Sequence, residues 1–330
     1  MTHSLPNIIV LANDNPTWTA ADRVISDAMV NLMLTGLRAE GHTVQLVTFF
    51  DDLSVLEAFD PREWLIWNWG EEMAGQSWTE ALVAAEIEKR GFAYTGSPPE
   101  VLERTKSRQY IKTCLREAGI PTLPSQVFTD PTQADSWTHF PAIVKGANQH
   151  ASYGITPESV VHNADQLARQ VRAMRVNLND DSFVEPFLDT REFHVAVWGN
   201  GTLEALPPVE YDFAGLDDMH QRLYTYDAKF DRSSHVYRTI GTFCPAPADR
   251  PDWGERLKEV SVAAYRVTGL RDYGRIDLRM LGDEPQVLDV NPNSDLDPIS
   301  VTPLSCQAIG LTYGQMAGRI LSFAAERMPQ

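Results

Sequence analysis

Arg275, Asp277, Asp289 and Asn291 lie in the stretch YGRIDLRMLGDEPQVLDVNPNSD, where apolar alternation reads as a buried hairpin and acids crowd the same strands. Residues two apart on a strand face the same side, so Arg275 shares a face with Asp277, and Asp289 with Asn291. A three-residue loop at Gly282-Asp283-Glu284 would set Asp277 opposite Asp289 and Arg275 opposite Asn291. Two carboxylates at a cross-strand spacing of roughly 5 Å repel each other. A hard divalent cation is the simplest compensation, and magnesium takes one or two carboxylates and completes its shell from water and phosphate. A hairpin with one solvated polar face is the competing reading, and a four-residue loop would break the pairing.

Two further constellations precede the hairpin. The first is FVEPFL, Phe183 to Leu188, followed by REFHVAV from Arg191. Pro186 cannot donate a ladder hydrogen bond, so this strand is at an edge or ends there. Free backbone groups at such a place can hydrogen-bond a planar base, and Glu192 can accept two ribose hydroxyls; a glutamate at a strand end is otherwise simply solvated. The second is Lys145, which closes PAIVK and faces a loop containing Gly146, Ser152 and Gly154. Backbone N–H groups of a small-residue turn can wrap phosphates. The stretch is not a P-loop, because G-x-x-x-x-G-K-[ST] is absent, and there is no G-x-G-x-x-G.

The elements that must position these residues follow from periodicity. Asn7 to Ala12, Val44 to Phe50 and Trp64 to Trp69 read as buried strands, with helices from Ala20 to Glu40 and from about Ser77 to Arg90 between and after them. On the first helix Val24, Ala28, Leu32 and Thr35 or Gly36 share the expected inner face. This order predicts a small parallel α/β layer in about the first hundred residues. A helix from about Glu103 stops at Gly119-Ile120-Pro121. Strands follow at Ala142 to Lys145, Ser182 to Leu188 and Glu192 to Trp198, with Asn200-Gly201 as a hairpin turn. The polar, aromatic segment from Glu210 to Asp249 has little periodicity, and a loop that long is usually functional or disordered. Helices Trp253 to Thr268 and Thr312 to Glu326 flank the hairpin.

Composition narrows the function. The 330 residues carry 45 acids against 28 bases, a net charge of −17, which makes a nucleic-acid partner improbable. A small anion such as a nucleotide is still allowed if cations gather locally. No apolar run approaches the roughly 20 residues of a membrane helix. The start lacks a basic n-region, and three scattered cysteines suit a reducing compartment, so a cytoplasmic protein is expected.

The order of the pieces resembles the ATP-grasp arrangement, and in detail it is similar to D-alanine–D-alanine ligases and their relatives. The matching stretches are TGS (Thr95 to Ser97), AGIP (Ala118 to Pro121), PAIVK (Pro141 to Lys145), YDAKF (Tyr226 to Phe230), FCPA (Phe243 to Ala246) and GRID (Gly274 to Asp277). The LDVN of Leu288 to Asn291 stands where such ligases usually have LExN. The resemblance implies an α/β (α+β) chain of the ATP-grasp fold. Its parts would be an N-terminal α/β domain at 1–100, a central subdomain at 101–187 and a C-terminal subdomain with the metal site at 188–330. It implies an ATP-dependent carboxylate–amine ligase working through an acyl phosphate with two magnesium ions, for which manganese could substitute. Lys145 and the loop with Ser152 would touch phosphates, as would Lys229 of the long segment. Glu185, with the backbone of Pro186 and Leu188, would hold adenine, and Glu192 the ribose. Arg108 falls where the family has a phosphate-binding lysine, with Lys106 the shifted alternative. Asp277, Asp289 and Asn291 would bind the metal ions, and Arg275 would face the transferring phosphoryl group. Relatives are commonly dimers, so a homodimer is also implied.

Substrate-side positions depart from the family. NDNPTWTAAD replaces its Gly-rich loop, with Asp22 where a glutamate meets the first substrate's amine; an acid opening a helix also serves as a favourable N-terminal charge. Ala151 replaces a loop serine, and Phe230 stands where a tyrosine is frequent. Trp67-Asn68-Trp69 replaces a histidine-containing segment and adds aromatic bulk near the pocket. After Asn291, Asn293-Ser294-Asp295 replaces S-P-G, while Ser300 falls where a serine holds the second substrate's carboxylate. Asp295 and Asp297 would favour a cationic or amine-rich partner. The expected activity is therefore ligation of an amino acid or small carboxylate to an amine. The alternatives are a divergent D-alanine–D-alanine ligase, a non-catalytic nucleotide-binding regulator and a metal-stabilised hairpin module.

Overall fold

The computed structural model describes residues 6–149, 152–225, 228, 234–247 and 249–329, with the backbone alone for residue 251. β1 (Asn7–Asn13), α1 (Ala20–Ala39), β2 (Val44–Phe49), β3 (Trp64–Trp69) and α2 (Glu80–Lys89) form the first layer, a parallel sheet in the order β2-β1-β3. Apolar residues face both ways from β1, as a strand covered on both sides requires. The inner face of α1 is Val30, Met33, Leu34 and Leu37 rather than the stripe through Val24, Ala28 and Leu32. Only its second half packs, leaving Val24 and Ile25 68% and 64% exposed.

The single helix expected from Glu103 is two helices, α3 (Pro99–Thr105) and α4 (Arg108–Glu117). Ser107 separates them by capping α4, its hydroxyl accepting from Tyr110 N–H. Arg108 thereby becomes the first residue of α4, and its N–H donates to Ala147 O at 3.1 Å. The second sheet is antiparallel in the order β4-β7-β5-β6, from β4 (Gln126–Phe128), β5 (Ala142–Gly146), β6 (Val160–Val161) and β7 (Ser182–Pro186). α5 (Ala164–Leu178) buries Leu167, Val171 and Met174 in the same core as Val144 and Val184. β7 is interior, so Pro186 marks the end of the strand and not an edge.

The third sheet is six-stranded and antiparallel. It runs β11-β10-β8-β12-β13 with β9 on β8, from β8 (Glu192–Gly199), β9 (Glu204–Ala205), β10 (Val209–Asp212), β11 (Gly241–Phe243), β12 (Asp272–Leu281) and β13 (Glu284–Pro292). Among its described residues, the segment from Glu210 to Asp249 holds β11 and the short helix α6 (His235–Thr239), which its weak periodicity does not announce. α7 (Pro251–Thr268) covers one face through Leu257, Val260, Ala264 and Tyr265, against Val195, Ile276 and Leu278. The alternate residues Glu192, His194, Arg275, Asp277 and Arg279 therefore point away from α7.

The β12–β13 hairpin corrects one expectation. Leu281 pairs with Glu284, so the loop is the two residues Gly282-Asp283, with Gly282 at φ +62°. The register then shifts, because Leu278 faces Val287 while Asp277 faces Asp289. Leu288 is the extra residue of a β-bulge. The bulge restores the residue that the shorter loop omits, so Asp277 lies opposite Asp289 and Arg275 opposite Asn291 as the sequence suggests.

An unforeseen helix, α8 (Val301–Ala308), precedes α9 (Tyr313–Ala325). α9 crosses α1 where Gly36 meets Gly314, and a Cβ on Gly314 would lie 2.6 Å from Gly36 O. Gly314→Ala should therefore cost about 1–3 kcal/mol through forced separation of the helices. Gly318→Ala on the same helix has open space around its Cβ position and should not destabilise. Calorimetric unfolding of the two variants checks this, and equal stability would contradict the close packing.

Candidate active site

A cleft of about 750 Å³, including its open mouth, lies between the second and third sheets. Lys145, Glu185 and Pro186 reach it from the second sheet, with Leu188 just beyond β7 and Ser152 from the loop after β5. Arg108 enters from α4, and Glu192, Arg275, Asp277, Asp289 and Asn291 come from the third sheet. The structure thus gathers into one cavity all the nucleotide- and metal-side candidates it describes. Lys229 and Phe230, with Ala151, lie outside the described residues.

On the metal side the expected repulsion is relieved by cations. Arg275 chelates Asp277, Nε donating to Oδ1 at 2.6 Å and Nη2 to Oδ2 at 3.0 Å. Asn291 Nδ2 donates to the same Oδ2 at 3.0 Å. Asp289 Oδ2 accepts from Arg108 Nη2 at 3.2 Å. Arg108 also donates to the carbonyls of Gly146 and Gln149, while Lys106 turns away to Glu103 at 2.7 Å, so of these two Arg108 is the one that lines the cleft. Asp277, Asp289 and Asn291 line the same cleft, and their side-chain oxygens are donors of the hard kind. Among the described residues no three or more His, Cys, Asp or Glu side chains are grouped to hold an ion unaided. Magnesium takes one or two protein carboxylates and completes its shell from phosphate oxygens and water.

Glu185, expected beside adenine, borders the cleft and is also engaged within the protein. It is fully buried and bridges two lysines, Oε1 to Lys145 Nζ at 2.7 Å and Oε2 to Lys112 Nζ at 2.8 Å. Burial opposes its ionisation, but the two ammonium groups outweigh burial and hold its carboxyl below the ordinary range. Lys112 also donates to Thr122 Oγ1 and Val287 O, each at 2.8 Å. This lysine was missed in the sequence, although it stands one helical turn from Arg108 on the same face. The position of Lys145 therefore rests on Glu185, and that of Glu185 on Lys112.

Glu192 is 7% exposed and already engaged: Arg279 Nε donates to Oε2 and His194 Nε2 to Oε1, both at 2.8 Å. Burial opposes its ionisation, but Arg279 foremost and then His194 keep the carboxyl well below the usual range. Arg279 and His194 line the cleft and were also missed, yet each continues an i, i+2 series: Arg275-Asp277-Arg279 and Glu192-His194. Ser152, at φ +60°, donates to Tyr224 O at 2.9 Å and so ties the small-residue loop to the long segment.

Among the described residues, the substrate-side candidates Asp22, Asp295 and Ser300 do not line this cleft. Asp22 is exposed and closes a capping box on α1, accepting from Thr19 N–H at 3.0 Å and its hydroxyl at 2.7 Å. Asp295 accepts from the Ser300 hydroxyl at 2.7 Å and from Asp297 N–H at 2.9 Å. Trp67, expected to add bulk to the pocket, is 1% exposed and packs in the core beneath α1 and α9.

Comparison with known proteins agrees with this geometry. The family described as "D-ala D-ala ligase C-terminus" matches residues 114–322. The uncharacterized protein y4sG of Sinorhizobium fredii is 31% identical over 282 residues, 83% of this chain and 80% of that protein. A D-alanine–D-alanine ligase of Alcanivorax borkumensis is 28% identical over 312 residues, 93% of this chain and 92% of that enzyme. The D-alanine–D-alanine ligase of Bacillus anthracis, solved in complex with ATP, superposes with a TM-score of 0.71 at 17% identity, covering 98% of each chain. The chain belongs to the D-ala D-ala ligase family and is an ATP-dependent C–N ligase built on the ATP-grasp fold.

Proposed function

We propose that the cleft binds ATP with magnesium, and that the protein joins the carboxylate of an amino acid or small acid to an amine. The carboxylate oxygen attacks the γ-phosphorus and ADP leaves, giving an acyl phosphate. The amine then attacks the acyl carbon, phosphate departs and the amine's proton is lost, leaving an amide. The observation that carries this reading is the convergence of Arg108, Lys145 and Arg275 with Asp277, Asp289 and Asn291 in one cavity. Cations and hard oxygen donors together suit a polyphosphate and its metal, and neither alone would. Magnesium held by Asp277, Asp289 and Asn291 would neutralise charge on the phosphates. Arg275, chelated to Asp277, would be held for the transferring phosphoryl group. Lys229 is proposed as a second phosphate contact. The central and C-terminal lobes, 101–187 and 188–330, are proposed to close on the nucleotide.

The amine partner is proposed to be cationic or amine-rich. The Ser300 hydroxyl, which the family resemblance assigns to a substrate carboxylate, is donated to Asp295, and Asp297 adds a second acid beside it. A second carboxylate there would meet like charge. The test is a mass-resolved product screen with ATP and magnesium over pooled amino acids and small amines. It should give substrate-dependent phosphate release and a product heavier by the acid minus water. D-Alanyl-D-alanine as the sole product would assign the narrower activity of the named relatives. Nucleotide binding without turnover of any pair would favour a regulatory protein.

A further inference from the structure

Arg279 occupies an unusual position for a cation. It is 3% exposed, and its guanidinium lies 5.1 Å from the ring centroid of Phe187 and 5.2 Å from that of Phe213. Its donors are shared among three parts of the molecule. Nε goes to Glu192 Oε2 at 2.8 Å, Nη1 to the carbonyl of Leu188, and Nη2 to Arg222 O at 2.6 Å. Two of these partners flank the turn between β7 and β8, and the third belongs to the long segment after β10. Arg222 is itself tied back to that turn, Nη1 meeting Asp189 Oδ2 at 2.9 Å.

The consequence falls on Glu192. A glutamate carboxylate turns freely about its last bond, since that torsion is broad. Here one oxygen is held by Arg279 and the other by His194, both at 2.8 Å, so the carboxylate plane is set. An ionised carboxylate offers about four acceptor positions, and the clamp uses one on each oxygen. One remains on each oxygen, and Glu192 borders the cleft. Two coplanar acceptors at carboxylate spacing complement two vicinal hydroxyls and not one.

Resting on the reading of the cleft as a nucleotide site, we propose that Arg279 is a positioning residue that makes the site selective for a ribonucleotide, by fixing Glu192 to take the 2′- and 3′-hydroxyls together. Lysine cannot replace it, because a single ammonium does not present a planar fork to Glu192, Leu188 and Arg222 at once.

The test is calorimetric binding of ADP, 2′-deoxy-ADP and 3′-deoxy-ADP with magnesium to wild type, Arg279→Met and Arg279→Lys. Wild type should bind ADP about 10- to 100-fold more tightly than either deoxy form, the range of a hydrogen bond to a charged group. Both variants should lose affinity for ADP and little for the deoxy forms, bringing the ratio below about threefold. A merely structural role would weaken all three ligands together and keep the ratio, which would overturn the proposal. Should Arg279→Met fail to fold, Arg279→Lys decides alone. Wild type binding all three nucleotides equally also overturns the proposal while leaving the nucleotide site standing. Wild type that binds none of them removes the reading of the cleft itself.

Discussion

The Asp289→Asn enzyme should release phosphate about 10²- to 10³-fold more slowly than wild type, while unfolding within about 3 °C of it. The replacement keeps the shape and one acceptor oxygen for Arg108, which retains the carbonyls of Gly146 and Gln149 in any case. It gives up the charge of the ion pair with Arg108 but strips no buried donor of its acceptor, so the loss of stability is small. The loss falls on the donor set for magnesium, where charge on the phosphates must be neutralised. Phosphate release at saturating ATP, with differential scanning calorimetry alongside, measures both halves. Turnover within about threefold of wild type would refute the metal role of Asp289.

Lys112→Met should be the most destabilising single change near the site, costing about 3–5 kcal/mol, the usual loss when one partner of a buried ion pair is removed. Lys112 is 0% exposed; its ammonium is ion-paired with Glu185 and donates to Thr122 and Val287 O. Methionine fills similar volume but leaves all three partners without that ammonium. Glu185 then has only Lys145 as a cation, so the lysine expected at the phosphates is drawn further from them. Thermal unfolding should fall by roughly 5–10 °C, and the affinity for ADP with magnesium should fall as well. A variant of wild-type stability would mean that the Lys112 ammonium is not needed to join α4, β7 and β13.

These two residues show how differently the site could be read beforehand. Asp289 announced itself, because two acids on opposed apolar strands demand a reason. Its pairing came out correctly although the loop did not, since the bulge at Leu288 replaced the residue missing from the turn. Bulges leave no mark in apolar alternation when the extra residue is itself apolar. Lys112 gave no such signal, because a lysine on a helix is ordinarily solvated and only tertiary packing buries it between two sheets. The break between α3 and α4 is similar: Ser107 is a recognisable cap, but helical periodicity runs through it. The parallel first layer was legible from its β-branched strands, whereas the inner face of α1 was not, because both faces carry apolar residues and contact with α9 chose between them.

The glutamates mark a second limit. Glu185 and Glu192 were both read as ligand contacts, and both border the cleft, but each is held by cations from elements distant in sequence. Local pattern places a carboxylate on a face and does not say which cation will meet it. Arg279 and His194 were within reach of the same i, i+2 reasoning that singled out Arg275 with Asp277. Their signal merges with that of the neighbouring residues on the same face, and burial of a second cation there is decided only by tertiary packing. On the substrate side, the capping of α1 by Asp22 and the bond from Ser300 to Asp295 are short-range contacts, and a sequence alone leaves open whether such groups turn inward to a neighbour or outward to a ligand.

The most direct measurement is a crystal structure of the protein grown with ADP and magnesium. The expected result is adenine against the Pro186–Leu188 backbone and ribose on Glu192. The diphosphate should lie beside Lys145 and Arg108, with metal density bounded by Asp277, Asp289 and Asn291. Nucleotide bound elsewhere, or a cleft without nucleotide at saturating ADP, would contradict the assignment of this cavity as the phosphoryl-transfer centre.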